Sequence, residues 1–123
     1  MSALPSEIKL LDQALNRGNL ANAWMYAHSV PVLTLDRALR LTILLGLEEG
    51  HRSYPAAARR FLRRFIRECE PTLEQVKRVA DALDCLANHP HLRLDARDAL
   101  QDLARQLAEK REPACRWVAR GEV

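Results

Sequence analysis

The chain has 123 residues, of which 48% are apolar, 28% charged and 5% aromatic. That composition argues against disorder and fits a single domain able to bury a core unaided. A formal charge of +3 conceals an asymmetry, because Arg52 to Arg67 holds six arginines and no acid, leaving −3 for the rest.

Few Gly and β-branched residues against abundant Ala and Leu predict an all-α fold. No apolar run reaches the length of a membrane span, and Met1 to Glu7 lacks the basic and apolar regions of a signal peptide. Three widely spaced cysteines do not make a disulfide framework, and Cys69 falls at a core position where a thiol acts as a small apolar group. The expectation is a cytoplasmic protein with no membrane partner.

Caps and stops mark six helices. The first runs from Ser6 to Arg17 with Ile8, Leu11 and Leu15 inward, and stops at Gly18. Asn19 caps the second, whose inner face is Leu20, Ala23, Trp24 and Ala27, and which ends before Pro31. Thr34 caps the third, Leu35 to Glu49, apolar almost all round and so expected to be the central element. Pro55 opens the fourth, which ends near Glu70. Thr72 and Gln75 form a capping box for the fifth, with Leu73, Val76, Val79, Ala80, Leu83 and Leu86 inward and a stop at Asn88 and Pro90. Asp95 caps the sixth, whose inner residues are Ala96, Ala99, Leu100, Leu103 and Leu107, and Pro113 closes it. Residues 1–113 thus read as one helical domain and 114–123, with Trp117, as a tail.

Shifted by 38 residues, the third and fourth helices fall on the fifth and sixth without a gap. Thr34-Leu35 lands on Thr72-Leu73, Arg40 on Arg78, Leu45 on Leu83, His51 on His89, Ala58-Arg59 on Ala96-Arg97, Leu62 on Leu100 and Arg67 on Arg105, nine identities with coincident caps and stops. A fixed period of this size marks stacked helical hairpins. The unit resembles HEAT-like and related αα-superhelical repeats, and Arg17-Gly18-Asn19-Leu20-Ala21-Asn22-Ala23 resembles the turn of a tetratricopeptide-type hairpin. This resemblance implies three stacked antiparallel hairpins, as a short αα-superhelix or a compact orthogonal bundle, and a binding scaffold rather than an enzyme.

On the fourth helix, Arg59, Arg60, Arg63, Arg64 and Arg67 form one polar face, opposite Ala58, Phe61, Leu62, Phe65, Ile66 and Cys69. Two readings stand. In the repeat register Arg60 corresponds to Asp98 and Arg64 to Asp102. If equivalent helices lie side by side, these arginines join repeat to repeat. Alternatively Arg59, Arg63 and Arg67, spaced i, i+4, i+8, stay free for a partner. Guanidinium suits bidentate contact with carboxylate or phosphate. An acidic protein surface is the first expectation and nucleic acid, through phosphate contacts, the second. Against the second stand the negative remainder of the chain and aromatics that point inward. Asp98 and Asp102 would also face the phosphates if the sixth helix were a recognition helix.

Met25 and Tyr26, off the inner stripe of the second helix, are added as contact candidates. Cys85, His89 and His91 are metal-like in spacing but lack a fourth ligand, so neither a metal nor any other cofactor is expected. No Gly-rich phosphate loop, His-Glu-x-x-His pattern or nucleophile elbow occurs, and the hydroxyls of Ser6, Ser29, Ser53, Thr34 and Thr72 fall at caps and turns. The sequence therefore predicts a small non-enzymatic interaction module.

Overall fold

The structure, a computed structural model, describes residues 5–48 and 51–109. Their order is α1 (Pro5–Arg17), α2 (Leu20–Ser29), α3 (Leu35–Leu47), α4 (Tyr54–Cys69), α5 (Leu73–Asn88), a 3-10 turn (Pro90–Leu92) and α6 (Arg93–Glu109). The described residues form helices and no strand, as the composition predicts. Glu49, Gly50, Pro113 and the tail with Trp117 lie outside the described residues, and with them the expected stop of α3 and close of α6.

Local chemistry sets most boundaries. Gly18, at φ 69°, ends α1. Its amide bonds Leu15 O and that of Asn19 bonds Ala14 O, a paired closure of the last turn. Asn19 Oδ1 accepts from the Asn22 amide at 3.1 Å, capping α2. Thr72 and Gln75 form the expected reciprocal box at α5, at 2.8 and 3.1 Å. At α4 the left-handed residue is Glu70 (φ 51°), held before Pro71, which cannot continue the helix.

Two boundaries differ from expectation. Thr34 holds the cap position of α3, but its hydroxyl accepts from Arg37 Nη1 at 3.2 Å and caps no amide. Asp95 does not cap α6, because the turn begun by Pro90 feeds directly into a helix starting at Arg93. The Pro90 ring presets the helical φ earlier than the Asp95 carboxylate could act.

Each consecutive pair, α1–α2, α3–α4 and α5–α6, packs as a hairpin, and α3 touches every other helix. Its burial follows from its sequence: Leu35, Leu39, Leu41, Ile43 and Leu45 are all buried and occupy more than half of its circumference, leaving only the side of Arg37, Arg40 and Leu44 half-buried. The most extensive interface is α3 with α6, whereas α4 and α6 share at most a marginal contact. Thus the expected side-by-side placement of α4 and α6 is corrected. The apolar circumference of α3 draws α6 onto it, and the hairpins close into a compact bundle.

Burial also departs from the 38-residue register. Phe61 is fully buried while its counterpart Ala99 is exposed, and Leu62 is half-buried where Leu100 is buried. Leu73 (84% exposed) and Ile66 (46%) were expected inward and face solvent instead, each at the edge of its helix's stripe. Cys69, expected as a plain thiol, is buried and disulfide-bonded, its partner lying outside the described residues; Cys85 is a free thiol. The main core runs through α3, α4, α5 and α6, and a smaller one joins α1, α2 and Leu41, with Trp24 packed against both.

Candidate functional site

The stretch Pro55-Ala-Ala-Ala provides a strong helix start for α4, and Tyr54, Ala57, Phe61, Phe65 and Cys69 bury one side of it. Its N-terminal end is tied down by Tyr54, whose hydroxyl donates to Leu83 O at 2.6 Å. Burial, with the Asp84 charge nearby, pushes the Tyr54 phenol above its ordinary pKa. The arginine face is thereby fixed in rotation about the helix axis.

On that face Arg59, Arg60, Arg63 and Arg67 are exposed and Arg64 is half-buried. At about 100° per residue, a turn around α4 meets Arg59, Arg63, Arg67, Arg60 and Arg64 before reaching Ala57 and Phe61. The five guanidinium groups therefore form one continuous strip along the helix. Arg64 pairs with Glu68 on the same helix, Nε to Oε2 at 2.7 Å. None of the other ion pairs among the described residues involves Arg59, Arg60, Arg63 or Arg67.

The expected pairing with α6 is not what forms. Asp98 pairs with Arg97 at 3.0 Å, and Asp102 pairs with Arg105 and accepts from Gln106. Both carboxylates are satisfied within α6, a helix that packs on α3 and shares at most a marginal contact with α4. The same holds elsewhere: Arg78 pairs with Glu74 and Arg37 with Asp12. Among the described residues, Arg64 alone of the α4 strip pairs with one of the molecule's own acids, and that acid lies on the same helix.

Where the strip meets the apolar side of α4, a cleft of about 460 Å³ opens toward α2 and α3. Arg60 and Arg64 form one rim, and the connecting segment Val30-Pro31-Val32-Leu33 forms the other wall. Trp24, Ala27, Leu41, Leu45 and Phe61 supply the floor. Thr42, also on the lining, is buried with its hydroxyl turned back to Ala38 O at 2.7 Å, so it offers no free donor there. Val32 stands 76% exposed on the wall.

Sequence reasoning missed this cleft. Trp24 read as core, and the signal that could have found it was four consecutive apolar residues in a connection, where polar ones are usual. Met25 is 54% exposed on α2, whereas Tyr26 is half-buried toward α1 beside Leu10, Ala14 and Arg17. Neither lines the cleft. A second cleft of about 340 Å³ lies between α5 and α6, lined by Gln75, Arg78, Asp102 and Gln106 among apolar residues.

The metal-like trio is not assembled as a site. His89 Nε2 faces Asp84 Oδ2 at 3.2 Å, and the His89 and His91 rings meet edge-on at 6.5 Å. The Asn88 amide, and then His89, hold the Asp84 carboxyl below its ordinary pKa. Among the described residues no three His, Cys, Asp or Glu side chains are placed to hold a metal. His28 Nδ1 donates to Trp24 O at 2.7 Å, near the C-terminal end of α2. No helix among the described residues is long and apolar enough to cross a membrane. No protein family, curated protein or solved structure was found to match the chain.

Proposed function

We propose that this chain is a small non-enzymatic interaction module that binds an acidic protein partner through the arginine face of α4. The observation that carries the reading is the guanidinium strip itself. Five arginines lie along one helix, and four of them make no ion pair among the described residues. Isolated like-charged groups at this density repel one another, and an incoming carboxylate surface relieves that repulsion. The hairpin architecture supports the reading, because helical hairpins commonly present one helix face to a partner.

Nucleic acid would use the same arginines on phosphates. The strip carries no exposed aromatic on which bases could stack, since Phe61 and Phe65 are buried, and the rest of the chain is net negative. Affinity capture from the native cell, with and without nuclease, tests the reading. Wild type should retain acidic proteins after nuclease treatment, and a variant carrying Arg59→Glu, Arg63→Glu and Arg67→Glu should release them. Capture abolished by nuclease would overturn the acidic-protein reading in favour of nucleic acid.

A further inference from the structure

We infer that the cleft beside Arg60 and Arg64 is the docking groove for an amphipathic helical peptide with acidic flanks, its apolar side seated between α2, α3 and α4. The inference rests on the reading of α4 as an acid-binding face and adds the form of the partner.

Three observations lead there. The groove is two-sided in chemistry: an apolar floor and wall (Trp24, Leu45, Phe61, Val32) opposite a guanidinium rim. A purely acidic surface would satisfy the rim and leave the floor in water, and a purely apolar one would bury the guanidinium groups unpaired. Only a ligand with apolar and acidic sides in register satisfies both. At about 460 Å³ the cleft has the size of a ligand site, room for a few apolar side chains rather than a domain surface.

The described residues present no sheet edge, so an extended strand would find no backbone partners. A peptide entering such a groove has to satisfy its own amides, and a helix does so. Arg60 is the first contact for a peptide carboxylate, since it makes no ion pair among the described residues. Arg64 is held by Glu68 in an i, i+4 surface pair, a weak interaction that a second carboxylate displaces readily.

A second copy of the chain fits poorly. Its exposed large apolar residues Leu73 on α5, Leu92 in the 3-10 turn and Leu94 on α6 make no i, i+4 stripe beside acids. Residues 110–123 carry four basic and two acidic side chains, the wrong sign for an arginine rim.

The test uses two synthetic helical peptides of equal charge. One has Leu at i, i+3, i+4 and i+7 between Glu flanks, and the other has Ser at those positions. Trp24 fluorescence, read in a Trp117→Phe background, reports on the groove floor directly. The Leu peptide should bind at least about tenfold more tightly than the Ser peptide and shift Trp24 emission. Val32→Ser should remove most of that gain while leaving the Ser peptide unchanged, and Arg60→Glu should weaken both. Val32 is exposed, so its substitution leaves the fold intact, as circular dichroism will verify.

Equal binding of the two peptides with no Trp24 response would overturn the groove and leave the arginine face standing. Binding by neither peptide would remove the arginine-face reading, and the groove proposal with it. Phosphatidylglycerol vesicles shifting Trp24 emission when the Leu peptide does not would overturn the proposal by making lipid the occupant.

Discussion

Gly46 offers a sharp test of how α3 is packed. A methyl group built on it lies 2.5 Å from Leu86 Cδ2, 2.7 Å from Tyr54 Cε1 and 3.0 Å from Leu86 Cγ. Carbon atoms in good contact sit about 3.5–4.0 Å apart, so both neighbours would have to retreat by roughly 1 Å. Neither has room: Leu86 is fully buried, and Tyr54 is buried and tethered to Leu83 O.

On an exposed helix Gly→Ala stabilises by about 1 kcal/mol through propensity. Here overpacking costs about 1–3 kcal/mol, and dislodging the Tyr54 hydroxyl costs about 1 kcal/mol more. Gly46→Ala is therefore expected to destabilise by about 1–3 kcal/mol net, a drop of several degrees in Tm. Urea and thermal melts followed by circular dichroism measure it.

A double-mutant cycle with Leu86→Ala isolates the cause. Removing the Leu86 side chain opens the space the methyl group needs, so Gly46→Ala should cost less in that background, or even stabilise. Stabilisation by Gly46→Ala alone, or strict additivity in the cycle, would refute the close approach of α3 to α5.

Three further outcomes follow from the same geometry. Tyr54→Phe should cost about 1 kcal/mol by removing the bond to Leu83 O. The folded Tyr54 pKa is raised, so its contribution is complete below the unfolded value of about 10 and is lost as pH rises above it. Tyr54→Phe should flatten that alkaline limb, as melts across a pH series would reveal. The Arg37 fork on Asp12, at 2.8 and 3.0 Å, pins α1 to the start of α3 and raises the Arg37 pKa, chiefly through the Asp12 hydrogen bond. A double-mutant cycle on Asp12 and Arg37 should give a coupling of about 1 kcal/mol, discounted for partial exposure, and Arg37→Lys should recover only part of it. Thr72→Ala should lower stability by about 1 kcal/mol and speed hydrogen exchange of the Gln75 amide, which loses its acceptor.

Much of the fold was legible because its signals are local. Gly18, Asn19, Thr72 and Pro71 act on backbone groups within a turn of themselves, so their effects can be read without a partner. The apolar circumference of α3 likewise announces a central helix. What failed depended on neighbours: Leu73 and Ile66 satisfy a helical stripe, yet no other element among the described residues buries them. The 38-residue match is one of sequence pattern, but α6 packs on α3, and its buried side is turned relative to that of α4.

The candidate site divides the same way. The arginine strip is a property of one helix and was readable. The Arg60 and Arg64 assignment was not, because the pairing of Asp98 and Asp102 depends on which helix lies beside α6. The groove belongs to three elements at once and left only Val30 to Leu33 as a trace.

The central claim is that Arg59, Arg60, Arg63 and Arg67 of the α4 strip meet an acidic partner rather than the fold's own carboxylates. Its most direct test is titration of a fluorescein-labelled poly-glutamate peptide against wild type and the Arg59→Glu, Arg63→Glu, Arg67→Glu variant, with Tm measured on both. The account predicts an affinity loss of about a hundredfold or more, with Tm within a few degrees of wild type because exposed sites tolerate substitution. Undiminished binding by the variant, or a large fall in Tm showing that these arginines hold the bundle together, would contradict it.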